Sequence, residues 1–169
     1  VRQAISGERA NGVGTWEFEH PKLERVEMSI KLGTDEMRYI ALFESLTGVR
    51  VHDCIIEEGG SEIIFVVRKG DVGLAVGKNG SRIRKAKQMI GKSIKVIEYS
   101  SDPVEFVKNV FMPARVSEAR ITEHGGKKIA LISVEEGDKG IAVGRGGKTI
   151  RCAKKLALRH HGIQDISIA

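Results

Sequence analysis

Apolar residues first fall into a regular pattern at Thr34. Met37, Ile40, Ala41, Phe43, Glu44 and Leu46 trace a mostly apolar helical face. Thr34 reads as its N-cap, Asp35 and Glu36 supply charge to the first turn, and Gly48 stops it. Two β-branched runs follow, Val51–Glu57 and Glu62–Arg68, separated by Glu58-Gly59-Gly60-Ser61, which predicts a hairpin. Gly70-Asp71 opens a short helix whose apolar side is Leu74 to Val76, with Asp71 as cap. Gly77 to Gly80 interrupts it, and a helix from Ser81 to about Ile90 turns Ile83, Ala86, Met89 and Ile90 inward. After Gly91, Ile94–Glu98 reads as a strand.

The same order then returns. Asp102-Pro-Val-Glu105 is a capping box with proline at the first helical position, and Val104, Val107, Val110 and Phe111 share one side of its helix. Arg115–Thr122 and Lys128–Val134 are strands around Gly125-Gly126. Asp138 caps a short helix, Gly144 to Gly147 forms a break, Lys148–His160 forms a long helix ended by Gly162, and Asp165–Ile168 is the last strand. Aligned at an offset of 67 residues, Val72–Lys87 and Lys139–Lys154 match at nine of sixteen positions, among them both glycines of each Gly-x-x-Gly. Two copies are too few for a solenoid. They predict a pair of small similar domains, 29–100 and 101–169, each with its glycine break between helices of equal length. The link, Ser100 to Pro103, is too short to give the pair much freedom.

Charge sharpens this picture. Lys and Arg number 28 against 22 for Asp and Glu, a net +6. The excess is concentrated: Lys78–Lys95 and Lys139–Arg159 contain no acid and seven cations each, so both copies carry a basic block. This favours a polyanionic partner. The two cysteines, Cys54 and Cys152, make no disulfide framework and no C-x-x-C pair, and read as buried thiols of a reducing compartment. No apolar run approaches the roughly 20 residues of a membrane span, nor does the N-terminus show a signal-peptide core. The expected location is the cytoplasm.

Two glycines three apart at a helix start leave the backbone bare of Cβ atoms on one side. A phosphodiester can then approach main-chain N–H groups and the positive end of the helix dipole. Lys78 and Arg145 add a full charge in each loop. Arg84 with Lys87, and Arg151 with Lys154, lie three apart and share a helix face, which could follow the backbone onward or simply be solvated.

Gly77-Lys78-Asn79-Gly80 and Gly144-Arg145-Gly146-Gly147 resemble the signature loops of the K-homology (KH) family, in its type II arrangement with two strands ahead of the loop. The fold implied is α+β: two tandem type II KH domains, each a small three-stranded sheet covered by helices, with the Gly-x-x-Gly loop between two helices. The family's loop clamps about four nucleotides of a single strand. The resemblance therefore implies an RNA-binding set of Gly77, Lys78, Asn79, Gly80, Arg82, Arg84 and Lys87 in the first copy, and Gly144, Arg145, Gly146, Gly147, Lys148, Arg151 and Lys154 in the second. By position, Val76, Ile83 and Ile64 would line one base groove and Val143, Ile150 and Leu131 the other, unless they are simply core. An aromatic content of 5% agrees with this mode rather than with a stacking reader. From Ser29 on, with Ile40-Ala-Leu-Phe-Glu-Ser-Leu-Thr-Gly48, the chain is similar to archaeal NusA-like transcription factors. That likeness implies single-stranded RNA and RNA polymerase as partners, and no catalysis, cofactor, metal, membrane or small-molecule substrate. It leaves open a role in pausing, termination or antitermination.

Other readings stay on the table. Ala142 to Thr149 fits a relaxed P-loop, with Lys148 on phosphates and Thr149 on magnesium. Its first-copy counterpart lacks the Lys-Thr pair, and about twenty residues after it are too few for the rest of such a fold. An RNA-processing or ribosome-assembly KH protein keeps the chemistry but changes the process, and a protein scaffold would bind no RNA. The histidines His20, His52, His124, His160 and His161 show no metal-ligand spacing. Residues 1–28 are the least patterned, a loosely attached arm with a short strand at Thr15–Glu19, and Met28 is a candidate start.

Overall fold

The computed structural model describes residues 32–169. The expectations for residues 1–28, including the strand at Thr15–Glu19 and the start at Met28, lie outside the described residues.

The first unit runs α1 (Thr34–Thr47), β1 (Val51–Ile56), β2 (Glu62–Val67), α2 (Val72–Val76), a 3₁₀ turn at Lys78–Gly80, α3 (Ser81–Ile90) and β3 (Ser93–Glu98). The second runs α4 (Pro103–Phe111), β4 (Val116–His124), β5 (Lys127–Val134), α5 (Lys139–Val143), a 3₁₀ turn at Arg145–Gly147, α6 (Lys148–His161) and β6 (Ile163–Ile168). Each sheet has its second strand in the middle, antiparallel to the first and parallel to the third. The parallel step needs a crossover, and the helix–glycine loop–helix segment is that crossover. The loop is thus fixed at both ends by the sheet.

Several caps differ from expectation. Gly33, not Thr34, is the N-cap of α1, and it makes no side-chain hydrogen bond. Asp71 and Asp138 sit at the N-cap positions of α2 and α5 but bond no helix N–H. Asp71 instead faces Arg68 at 3.4 Å. The Asp138 carboxylate accepts from the Arg115 backbone N–H at 2.9 Å and from its Nε at 2.8 Å. The capping box of α4 is relayed. Asp102 accepts from the Val104 N–H, while the Asp102 N–H goes to Ser100 Oγ, which in turn donates to Glu105 at 2.6 Å. Met37 and Ala41, expected inward, are exposed on α1. Met89 is exposed too, at the far side of α3.

The two sheets have different surroundings. On the first, Cys54, Ile63, Phe65, Val67 and Ile94 face Phe43 of α1, Ala75 of α2 and Ala86 of α3. Its opposite face, Ile55, Ile64, Val66 and Ile97, is also buried, against Phe106, Val107, Val110 and Phe111 of α4 and Leu156 of α6. Those helices pack in turn on Ala130, Ile132, Ile163 and Ile166 of the second sheet. Helices, sheet, helices and sheet therefore alternate, and one core spans both units. This explains why β2 reads Ile63-Ile64-Phe65-Val66-Val67, apolar without alternation: both of its faces are covered. The second sheet's outer face carries exposed Glu118, Arg120 and Ser167.

This arrangement corrects the groove assignment. Ile64 faces the second unit's helices, not the glycine loop of its own. Leu131, next to buried Ala130 and Ile132, points from the other face of β5. Neither lines a groove beside its own unit's loop helix: Ile64 lies instead beside Thr149, Cys152 and Leu156 of α6. Val76 and Ile83 are half-buried, with Ile83 packed on the first core, while Val143 is exposed and Ile150 half-buried.

A second correction concerns helix length. α3 has 10 residues and α6 has 14. The added turn carries Arg159, His160 and His161, and all three reach the first unit. Arg159 Nη1 lies 2.8 Å from Asp53 Oδ1, and His160 Nε2 lies 2.9 Å from Asp53 Oδ2. His161 Nε2 bonds the Ser100 carbonyl at 2.9 Å. Tyr99 stacks between His52 and His161, at centroid distances of 5.2 and 6.1 Å.

Candidate nucleic-acid interface

Both glycine loops have one backbone. Gly77 and Gly144 adopt φ/ψ of 79/172 and 80/164, Asn79 and Gly146 adopt 56/28 and 62/19, and Gly80 and Gly147 adopt 73/18 and 79/16. Three of the four residues in each loop have positive φ. The third position tolerates Asn79 because asparagine is among the few non-glycine residues at home in the left-handed region. The first position tolerates nothing but glycine. A Cβ on Gly77 would sit 2.9 Å from the Arg82 backbone N, and one on Gly144 would sit 2.7 Å from that of Thr149. The loop is thus seated on the first turn of the next helix, its middle residues Lys78 and Asn79, or Arg145 and Gly146, left exposed. Neither corner is covered by the other unit.

An arginine one turn into each helix holds this shape. Arg84 Nη1 donates to the Asn79 carbonyl, and Arg151 Nη1 to the Gly146 carbonyl at 2.6 Å. Both carbonyls are thereby turned back onto the helix.

The family described as KH domain matches residues 37–115, and that described as NusA-like second KH domain matches residues 103–169. A probable transcription termination protein NusA of Methanococcus vannielii is 35% identical over 83% of this chain and 80% of the relative. The chain belongs to the NusA family. Another relative of the same description, from Halococcus morrhuae, is 32% identical over 84% of this chain and all of the relative. The crystal structure of APE1850 superposes with a TM-score of 0.69 at 37% identity, covering 82% of this chain and 100% of that one. The fold is accordingly two tandem KH domains, each with a three-stranded sheet plus helices.

Within this NusA-family fold the predicted site residues divide into three kinds. Gly77, Lys78, Asn79 and Gly80, with Gly144, Arg145, Gly146 and Gly147, form the two corners. Lys78, Lys87 and Arg145 are exposed and have no acidic partner among the described residues. The other cations are engaged. Arg82 donates to the carbonyls of Thr47 and Leu74 at 3.1 and 3.2 Å, tying α1 to α2. Lys148 pairs with Glu57 at 2.8 Å, Lys154 with Asp165 at 3.1 Å, and Arg151 approaches Glu58 at 3.9 Å. Glu57 is buried, and the Lys148 ammonium beside it holds its carboxyl below the usual range. The hydrogen bond from Lys154 does the same to Asp165. The second loop is therefore flanked by acids, two of them from the first domain's hairpin, and among the described residues the first loop is not.

Asp53 and the histidines were missed as a group. Asp53 is fully buried. Burial alone would raise its carboxyl, but the His160 hydrogen bond and the Arg159 charge outweigh this and leave it lowered. Burial lowers His52 and His161, and pushes the Cys54 thiol up to about 12. The one available signal was Asp53, an acid set directly before the apolar run Cys54-Ile55-Ile56 in β1.

The P-loop reading meets a structural objection. Residues 136–143 are a 3₁₀ turn and a short helix, not the strand that such a loop must follow, and Lys148 is held by Glu57. Among the described residues no group of His, Cys, Asp and Glu has metal-binding geometry, and no helix is long and apolar enough to cross a membrane.

Proposed function

We propose that this chain is a non-catalytic, single-stranded RNA-binding factor of transcription termination or elongation, working in the cytoplasm with RNA polymerase, and that its two Gly-x-x-Gly corners grip the RNA backbone. The observation that carries this reading is the identical backbone of the two exposed corners, each seated on a helix start within an acid-free basic block. The similarity to probable transcription termination proteins supports the process.

The test uses Lys78→Asp with Asn79→Asp, and Arg145→Asp with Gly146→Asp. Both third-position changes are compatible with folding. Aspartate enters the left-handed region more readily than most residues, and a Cβ at Gly146 meets nothing within 4 Å. Each pair is expected to weaken binding of a twelve-nucleotide single-stranded RNA by about tenfold, or about 1.4 kcal/mol, with a single cooperative unfolding transition retained. Equal affinity at moderate salt would reject the corner mechanism. Salt-independent or absent RNA binding by the unaltered chain would favour a scaffold. Recovery with pre-ribosomal RNA in place of RNA polymerase would move the factor to another process.

A further inference from the structure

Beside the second corner lies a cleft of about 210 Å³ between the first domain's β1–β2 hairpin and α6. Its lining is apolar below, from Ile55, Ile56 and Cys152, and charged at the rim, from Glu58, Arg151 and Lys155. Arg151 joins it to the corner: one guanidinium nitrogen holds the Gly146 carbonyl while another lies 3.9 Å from Glu58. Lys155 is exposed and has no acidic partner among the described residues. On the first domain's α3 the matching stripe, including Arg84 and Lys85, is exposed among the described residues.

We propose that this interdomain cleft is a nucleobase subsite, taking one base of the strand held at the Gly144–Gly147 corner. This rests on the RNA-binding reading above. An apolar floor under a polar rim suits a base, since base faces are apolar and base edges carry the hydrogen bonds. Lys155 meets the phosphate that follows. The Glu58 carboxylate only accepts hydrogen bonds, so it favours the exocyclic amine of cytosine or adenine, or the N1–H and amine of guanine, over uracil, whose single N3–H donor lies between two carbonyl oxygens that repel the carboxylate. The cleft exists only when both domains are docked, so this subsite belongs to the pair and to neither domain alone.

The experiment uses the full chain and twelve-nucleotide RNAs carrying a single 4-thiouridine walked through the sequence. After irradiation, the cross-linked residues are mapped by mass spectrometry. One position should cross-link to Ile55, Ile56 or Cys152, next to a position that cross-links to the Gly144–Gly147 corner. In parallel, saturating RNA should slow alkylation of Cys152 by N-ethylmaleimide at least several-fold, with fully buried Cys54 as the unreactive internal control. Lys155→Glu should weaken binding about tenfold, and Glu58→Gln should reduce the preference for cytosine over uracil at the cross-linked position. The proposal is overturned if cross-links at the second corner run only along Val143 and Ile150 and Cys152 alkylates equally fast with and without RNA. RNA that fails to bind the unaltered chain at all would remove the underlying function instead.

Discussion

At the scale of single residues, the two corners are most sensitive where a Cβ has no room. Gly144→Ala forces a side chain against the Thr149 backbone N at 2.7 Å, in a conformation with φ of +80 that L-residues rarely adopt. The expected cost is about 1–3 kcal/mol, read by urea denaturation. Gly146→Ala, where a Cβ meets nothing, should cost only the left-handed backbone penalty of about 1 kcal/mol. Equal losses would show that crowding on α6 plays no part. The glycines were legible in the sequence because nothing else supplies such a backbone, and the repeat doubled the signal. The arginines were legible as charges but not as staples. Arg84 and Arg151 recur at the same offset as the loops, yet only the folded chain shows each guanidinium turned back to a loop carbonyl instead of outward.

At the scale of elements, corresponding cations in the two copies are not equivalent. Among the described residues Lys78 and Lys87 face no acid, whereas in the second copy Arg145 has no acidic partner there but Lys154 is paired with Asp165. A cation already neutralised displaces fewer counterions from RNA, with a slope of about 0.7 per phosphate on single strands. Changing Lys78 and Lys87 to Gln should therefore lower the slope of log affinity against log salt by about 1.4, and changing Arg145 and Lys154 to Gln by only about 0.7. Equal drops in a titration series would reject this asymmetry. Element order, strand positions and helix stops followed from glycine punctuation and apolar period. The face of β2 did not. Ile63 to Val67 is an unbroken apolar run, so no alternation says which side Ile64 takes, and its placement in a groove failed for that reason. The last turn of α6 was legible from the long run to Gly162, but its role was not, because Arg159-His160-His161 looks like a solvated helix end until Asp53 is brought to it from 106 residues away.

At the scale of the molecule, that turn governs how the domains stay together. Arg159→Ala leaves a buried carboxylate with one partner fewer, and removing one member of a buried pair costs about 3 kcal/mol. A single cooperative transition, shifted to lower denaturant, is the expected result. Acid should act on the same joint in two steps. His52 and His161 have folded-state values below the ordinary histidine value of 6.5, so their neutral forms are the ones that fit. Their contribution is complete above about pH 6.5 and is lost as pH falls toward the folded values. Asp53 is lowered below the ordinary 3.8, so its contribution is present above that value and vanishes only as pH falls through the folded one. Urea midpoints at pH 7.5, 5.5 and 3.5 should decline in that order. His52→Asn with His161→Asn should flatten the first interval alone, and a flat profile in the unaltered chain would remove the joint as the acid-sensitive element.

The first sheet is buried on both sides, and its second cover is made of residues that come later in the chain. While the protein is being synthesised, Ile55, Ile64, Val66 and Ile97 leave the ribosome before α4 and α6, the helices that cover them among the described residues. The nascent N-terminal half is then a sticky intermediate that must wait for its other half or be held by a chaperone. Messages truncated near residue 100 should yield insoluble product, however complete the first domain looks on paper.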